Sequence, residues 1–151
     1  MVKIKFLGSS TSPKIEAEEI LEGKSNFFTG SDPKKWHINI PTFRSIVCRE
    51  VYPGIDIRFY GNGQTLEYDV VVQPLADITQ VRVAFEGSDG IRISEEGNLE
   101  IPLKAGEILQ RKPLVYQTVN GKRQTIATSY GIEKQGIVAK GTCRLLPRCI
   151  L

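Results

Sequence analysis

Apolar and polar residues alternate along most of this chain, and the alternation has a period of two rather than 3.6. In IDIRFY, Ile55, Ile57 and Phe59 fall on one side of an extended chain, and Asp56, Arg58 and Tyr60 on the other. In VRVAF, Val81, Val83 and Phe85 share a side. Segments of this kind, β-branched and aromatic between turn signals, predict strands. They are VKIKFLG (2–8), TFRSIVCREV (42–51), IDIRFYG (55–61), TLEYDVVV (65–72), ITQVRVAFEG (78–87), GIRISEEG (90–97), NLEIPL (98–103), GEILQRKPLVYQTV (106–119) and RQTIATSYGIE (123–133).

Two segments read less simply. PKIEAEEILEG (13–23) is the helical candidate, with good helix formers and a terminal glycine. Its apolar residues, Ile15, Ala17, Ile20 and Leu21, fit an irregular strand as well. TGSDPKKWHINIPTF (29–43) carries Gly, Pro and Asp breakers, which predict a long loop or short turn holding Trp36. Turn signals are clear at GNGQ (61–64), EEGN (95–98) and VNGK (119–122), the last with the Asn-Gly pair that favours a hairpin. Turns at this spacing predict an all-β fold, an antiparallel β-sandwich-like single domain with at most one short helix. A chain of 151 residues is long enough to bury one core without staples.

Charge narrows the partners. Residues 1–75 hold nine basic and nine acidic residues, so the net +3 arises in the second half, where the basic residues are scattered. A nucleic-acid binder shows a denser basic stripe, and no nucleic-acid partner is expected. No segment has the length of a transmembrane helix. MVKIKFLGSS has too short an apolar run for a signal peptide and reads as a strand.

Candidate chemistry is sparse. Glu67 and Asp69 lie two apart and so share a strand face; a hairpin closed at 61–64 sets them opposite Arg58 and Asp56, which suits cross-strand ion pairs. A glycosidase-like enzyme using Asp56, Glu67 and Asp69 is a third reading, since paired carboxylates at the right separation cleave glycosidic bonds. Serine or cysteine nucleophile chemistry would have to use the single histidine, His37, and no GxSxG elbow or phosphate loop occurs. Cys48, Cys143 and Cys149 lack zinc-site spacing; Cys48 reads as a buried small hydrophobe, and Cys143 and Cys149 are able to pair if oxidised. No metal and no cofactor is implied. Aromatic rings offer a platform for sugars, with Trp36, Tyr60 and Tyr68 the candidate binding residues.

Four ordered stretches carry a resemblance: GKSNFFTGSDPKKWHINIPTF (23–43), REVYPGIDIRFYGNGQTLEYDVVVQPLAD (49–77), VRVAFEGSDGIRISEEGNLEI (81–101) and ILQRKPLVYQTVNGKR (108–123). Together they resemble the β-rich domain of unknown function near the N-terminus of bacterial exported proteins with beta-propeller-type (SBBP) repeats. The matching positions are Asn26, Phe27, Phe28, Gly30, Asp32, Pro33, Trp36, Val51 to Asp56, Tyr60, Gly61, Leu66 to Asp69 and Arg111 to Pro113. The resemblance implies a non-catalytic structural or interaction module of a bacterial surface or secreted multidomain protein, extracellular or at the cell surface. Its partners would be the remainder of that protein and a protein or glycan ligand. A carbohydrate-binding module using Trp36 and exposed tyrosines is the alternative. The β-rich module spans 1–138; GTCRLLPRCIL closes an atypical basic tail (139–151), read as a truncated or frame-shifted end of a longer protein.

Overall fold

The computed structural model describes residues 2–63, 65–133, 136–141 and 149–150. Its strands, in chain order, are β1 (Lys3–Phe6), β2 (Lys14–Phe27), β3 (His37–Tyr52), β4 (Ile55–Asn62), β5 (Thr65–Val72), β6 (Val83–Glu86) and β7 (Arg92–Ile93). They continue with β8 (Leu99–Leu103), β9 (Gly106–Gln110), β10 (Val115–Val119), β11 (Lys122–Ile126), β12 (Thr128–Glu133), β13 (Gly136–Gly141) and β14 (Cys149–Ile150). All pairings between them are antiparallel. The helical content among the described residues is two 3-10 turns, Pro33–Lys35 and Ile78–Gln80, and no helix is long and apolar enough to cross a membrane.

Three sheets result. The largest has the order β11-β10-β14-β5-β4-β3-β2, the second β1-β6-β13-β12, and the third is the β7-β8-β9 meander. Their apolar faces make two adjoining cores. One gathers Val51, Tyr52, Ile55, Ile57, Val70, Val72, Val81 and Val115; the other gathers Val83, Phe85, Leu99, Ile101 and Ile137. Phe6 on β1 packs against both. Its ring meets Phe59 and Tyr68 edge-on, with centroids 6.4 and 5.9 Å away, which clamps the second sheet onto the first. Alternation is cleanest in β8, where Leu99 and Ile101 are fully buried and Glu100 turns outward to Arg92.

The sequence expectations meet the structure unevenly. The helical reading of 13–23 gives way to strand β2, because Glu16, Glu18 and Glu19 find arginine partners across the sheet that an isolated helix would not supply. The loop expected over 29–43 ends at Trp36, and β3 begins at His37. The 78–87 strand shortens to Val83–Glu86, since Asp77 caps a 3-10 turn by accepting from the Thr79 N–H (2.9 Å). Pro113 interrupts the long 106–119 segment, leaving β9 and β10. All three predicted turns close hairpins: β4–β5, β7–β8 and β10–β11.

β13 runs through Gly141, and Cys149–Ile150 lie between β5 and β10 by backbone pairing with Val72, Val71, Gln117 and Tyr116. Cys143 lies outside the described residues.

Candidate functional site

The richest polar cluster lies on one face of β2–β5. Directly opposed residues of antiparallel strands share a face, so the rows Glu16–Val47–Arg58–Asp69 and Glu18–Ser45–Tyr60–Glu67 lie side by side. Arg49 stands at the centre. Its Nε donates to Glu16 (2.7 Å), its Nη1 to Asp56 (2.9 Å) and its Nη2 to Glu18 (3.3 Å). Arg58 donates to the Ser45 hydroxyl from Nε and Nη2 (3.2 and 3.1 Å), and its Nη2 lies 3.1 Å from Glu18 and 3.5 Å from Glu19. Lys14 and Arg49 hold the Glu16 carboxyl at a pKa of about 2, and Glu16 and Asp56 in turn push the Arg49 guanidinium further up.

Asp56 is buried, with 6% exposure, and its second oxygen accepts from the Glu50 N–H at 2.8 Å. That bond explains the shape of the VYPGID run. Glu50 takes a left-handed conformation (φ 51°) and bulges out of β3, and its own carboxylate accepts from the Gly54 N–H at 3.1 Å. Gly54 also has φ 69°, and a Cβ there would sit 2.9 Å from the Ala76 Cβ. Tyr52 is buried and donates through its hydroxyl to the Leu7 carbonyl (2.8 Å), while the Gln73 N–H donates to the Gly54 carbonyl (2.8 Å). The run is a structural knot joining β3, β4, the β1–β2 link and the segment after β5.

The three acids of the hairpin share the polar face, yet each is engaged. Asp69 accepts from the Tyr60 hydroxyl (3.0 Å) and Glu67 from the Asn62 amide (3.0 Å). The register is shifted by two from the expected one: Glu67 and Asp69 do not face Arg58 and Asp56 in that order, but Asp69 lies opposite Arg58, Glu67 opposite Tyr60 and Asp56 opposite Val71. No Arg58–Asp69 ion pair forms among the described residues. Arg58 turns instead to β2, where Glu18 and Glu19 offer two carboxylates. Burial, then the bond to Asp69, pushes the Tyr60 phenol up to about 12.

Trp36, Tyr60 and Tyr68 are not brought together. Tyr68 faces the other side of the hairpin from Tyr60, between Phe6 and Phe59, and its hydroxyl accepts from the Gln110 amide (2.9 Å). The same amide donates to the Tyr130 hydroxyl (2.8 Å), which donates onward to the Arg111 carbonyl (2.9 Å). Burial raises both tyrosines, Tyr68 to about 12. This chain of bonds ties β5, β9 and β12 across three sheets. Trp36 lies far along the β2–β3 ribbon, its Nε1 donating to the Gly30 carbonyl (3.1 Å) and its ring edge-on to Phe28 at 5.1 Å. His37 opens β3 beside it and is exposed. Cys48 is half-buried and free. Among the described residues no group of three or more His, Cys, Asp or Glu is placed to hold a metal ion.

A family model described as a domain of unknown function, DUF7948, matches residues 1–140. The chain belongs to this family. No curated protein and no solved structure matches it. The DUF7948 match covers the VYPGID knot, the Arg49 cluster and the β2–β3 ribbon together. Sequence reasoning missed Arg49 as the hub of the polar face, and the signal available was weak: an arginine one residue ahead of a bulge that only tertiary contacts create. It also missed Gln110, since nothing local marks a glutamine as the partner of two half-buried tyrosines.

Proposed function

We propose that this DUF7948 domain is a non-catalytic structural or interaction module of a bacterial surface or secreted multidomain protein. The observation that carries the reading is the contrast between engaged acids and unengaged apolar groups. Asp56, Glu67 and Asp69 have their hydrogen-bond partners within the chain, so their carboxylates are held as structural acceptors. The β2–β3 ribbon, by contrast, presents Ile20, Phe27, Phe28 and Ile38 to solvent, each more than half exposed. Exposed apolar surface of this kind marks a contact site. The resemblance to the domain of exported SBBP-repeat proteins supports an extracellular setting, with the repeats of the same protein among the partners.

Two measurements test this. Reading the flanking DNA should find export signals or propeller-type repeats in frame; an intact upstream stop codon with no repeats in any downstream frame would sink the surface-protein part. Incubation with a panel of chromogenic glycosides should give no turnover. Turnover that disappears in Asp69→Asn would restore the enzyme reading.

A further inference from the structure

We propose that the tip of the β2–β3 ribbon docks on an anionic lipid surface. The inference rests on the module reading above and names a partner for it. Every residue from Asn26 to Asn39 is exposed. Four of them are large and apolar: Phe27 (56% exposed), Phe28 (64%), Trp36 (37%) and Ile38 (58%).

These side chains are held out by a built tip. The Asn39 N–H donates to the Asn26 side chain (2.7 Å), the Trp36 indole is fixed to Gly30, and Phe28 braces the Trp36 ring. Asp32 accepts from the Lys34 N–H (3.0 Å) and caps the Pro33–Lys35 turn. Ring-bearing residues held rigidly in water lose little conformational freedom when they enter an interface, and indole and phenyl rings suit the headgroup level of a bilayer.

Charge selects the partner. From residue 24 to 38 the chain carries Lys24, Lys34 and Lys35 against one acid, Asp32. None of the three lysines joins an ion pair among the described residues. Lysines beside an apolar tip lay their stems along it and place their ammonium groups among anionic headgroups. The other acids of the ribbon lie before the tip: Glu16, Glu18 and Glu19 face Arg44, Arg49 and Arg58, and Glu22 stands five residues ahead of Phe27. The strand is irregular between Ile20 and Lys24 and between Ser25 and Phe27, so Glu19 lies at most roughly 25 Å from Phe27, and salt at about 0.1 M screens exposed charges beyond about 10 Å.

A second copy fits less well, because β2 would meet another edge carrying the same four glutamates, Glu16, Glu18, Glu19 and Glu22. A protein partner of ordinary interface size needs roughly 20–30 residues a side, and the tip offers four apolar anchors on a narrow ribbon.

The sequence contains a single tryptophan, so fluorescence reports on the tip alone. The full chain is titrated with vesicles of phosphatidylcholine containing one third phosphatidylglycerol, and with phosphatidylcholine alone. The anionic vesicles should shift Trp36 emission to the blue, float the protein, and bind at least about ten-fold more tightly than the neutral ones. Lys34→Glu with Lys35→Glu should weaken binding about ten-fold or more. Phe27→Ser with Phe28→Ser should remove both the shift and the flotation. Unchanged urea midpoints for both double variants show that the fold is kept.

Absence of shift and flotation on anionic vesicles overturns the proposal. So does vesicle binding that survives both double variants, or a blue shift that grows with protein concentration without lipid, which would mean a second copy covers the tip. Any of these leaves the module reading standing, because that reading falls on turnover or on the flanking DNA.

Discussion

Strand β3 has two ends with opposite fates. From Ser45 to Tyr52 it lies between β2 and β4 and contributes Ser45, Val47, Val51 and Tyr52 to the buried set, with Ile46 the one large apolar residue there left exposed. From His37 to Arg44 it pairs with β2 alone, and Ile38 and Phe43 stay exposed. The residue types hardly differ between the ends. What differs is the number of neighbours. A third strand brings the apolar face under Phe6 and the second sheet, whereas a two-stranded ribbon has no layer to bury against.

The comparison is broken or sharpened by substitution at each end. The largest effect is expected for Ile55→Ala, at the fully buried start of β4: about 3–4 kcal/mol of lost stability in urea unfolding. Ile20→Ala on the ribbon, at 72% exposure, should cost no more than about 0.5 kcal/mol. Equal losses would mean that the ribbon is packed in solution and would undo the contrast.

Asp56→Ala removes the acceptor of both Arg49 and the Glu50 N–H, and about 2–3 kcal/mol of destabilisation is expected. An unchanged or raised midpoint would instead mark Asp56 as a strained, functional carboxylate. Gly54→Ala should cost about 1–2 kcal/mol. Part of that should return in the Gly54→Ala, Ala76→Gly double variant, which relieves the 2.9 Å approach and leaves the φ of 69°. No recovery would assign the whole cost to the backbone.

A pH dependence is expected as well. The folded-state phenols of Tyr60 and Tyr68 lie near 12, above the ordinary value of 10.0. A raised pKa means that the folded state resists deprotonation, so their stabilisation is full below pH 10 and is lost as pH rises through about 12. Tyr60→Phe and Tyr68→Phe should each flatten that alkaline decline in urea titrations. A decline that is the same in both variants would exclude these phenols as its source.

Period-two alternation and glycine-bearing turns were enough to read the all-β class, the three hairpin turns and the shared face of Arg58, Glu67 and Asp69, but not the register, which sets Asp69 rather than Glu67 opposite Arg58. Both are local properties, written within a few residues of the chain. The partners chosen across that register were not legible. Arg58 abandons Asp69 for Glu18 and Glu19, which approach only because β2, 39 or 40 residues earlier in the chain, is laid on β3. The strand at 14–27 was equally hidden, since its glutamates and alanine suit a helix until arginines on β3 and β4 face them.

By itself, then, the sequence determined which segments extend, where they turn, and which side chains share a face, because backbone propensity and side-chain direction act over neighbouring residues. The tertiary structure alone decided that the acids of the hairpin are engaged, that Tyr68 is half-buried while Trp36 is exposed, and that the His37–Arg44 half of β3 leaves Ile38 and Phe43 in solvent. Those outcomes depend on which strands lie alongside, and a strand's neighbours are set by long-range packing rather than by its own residues.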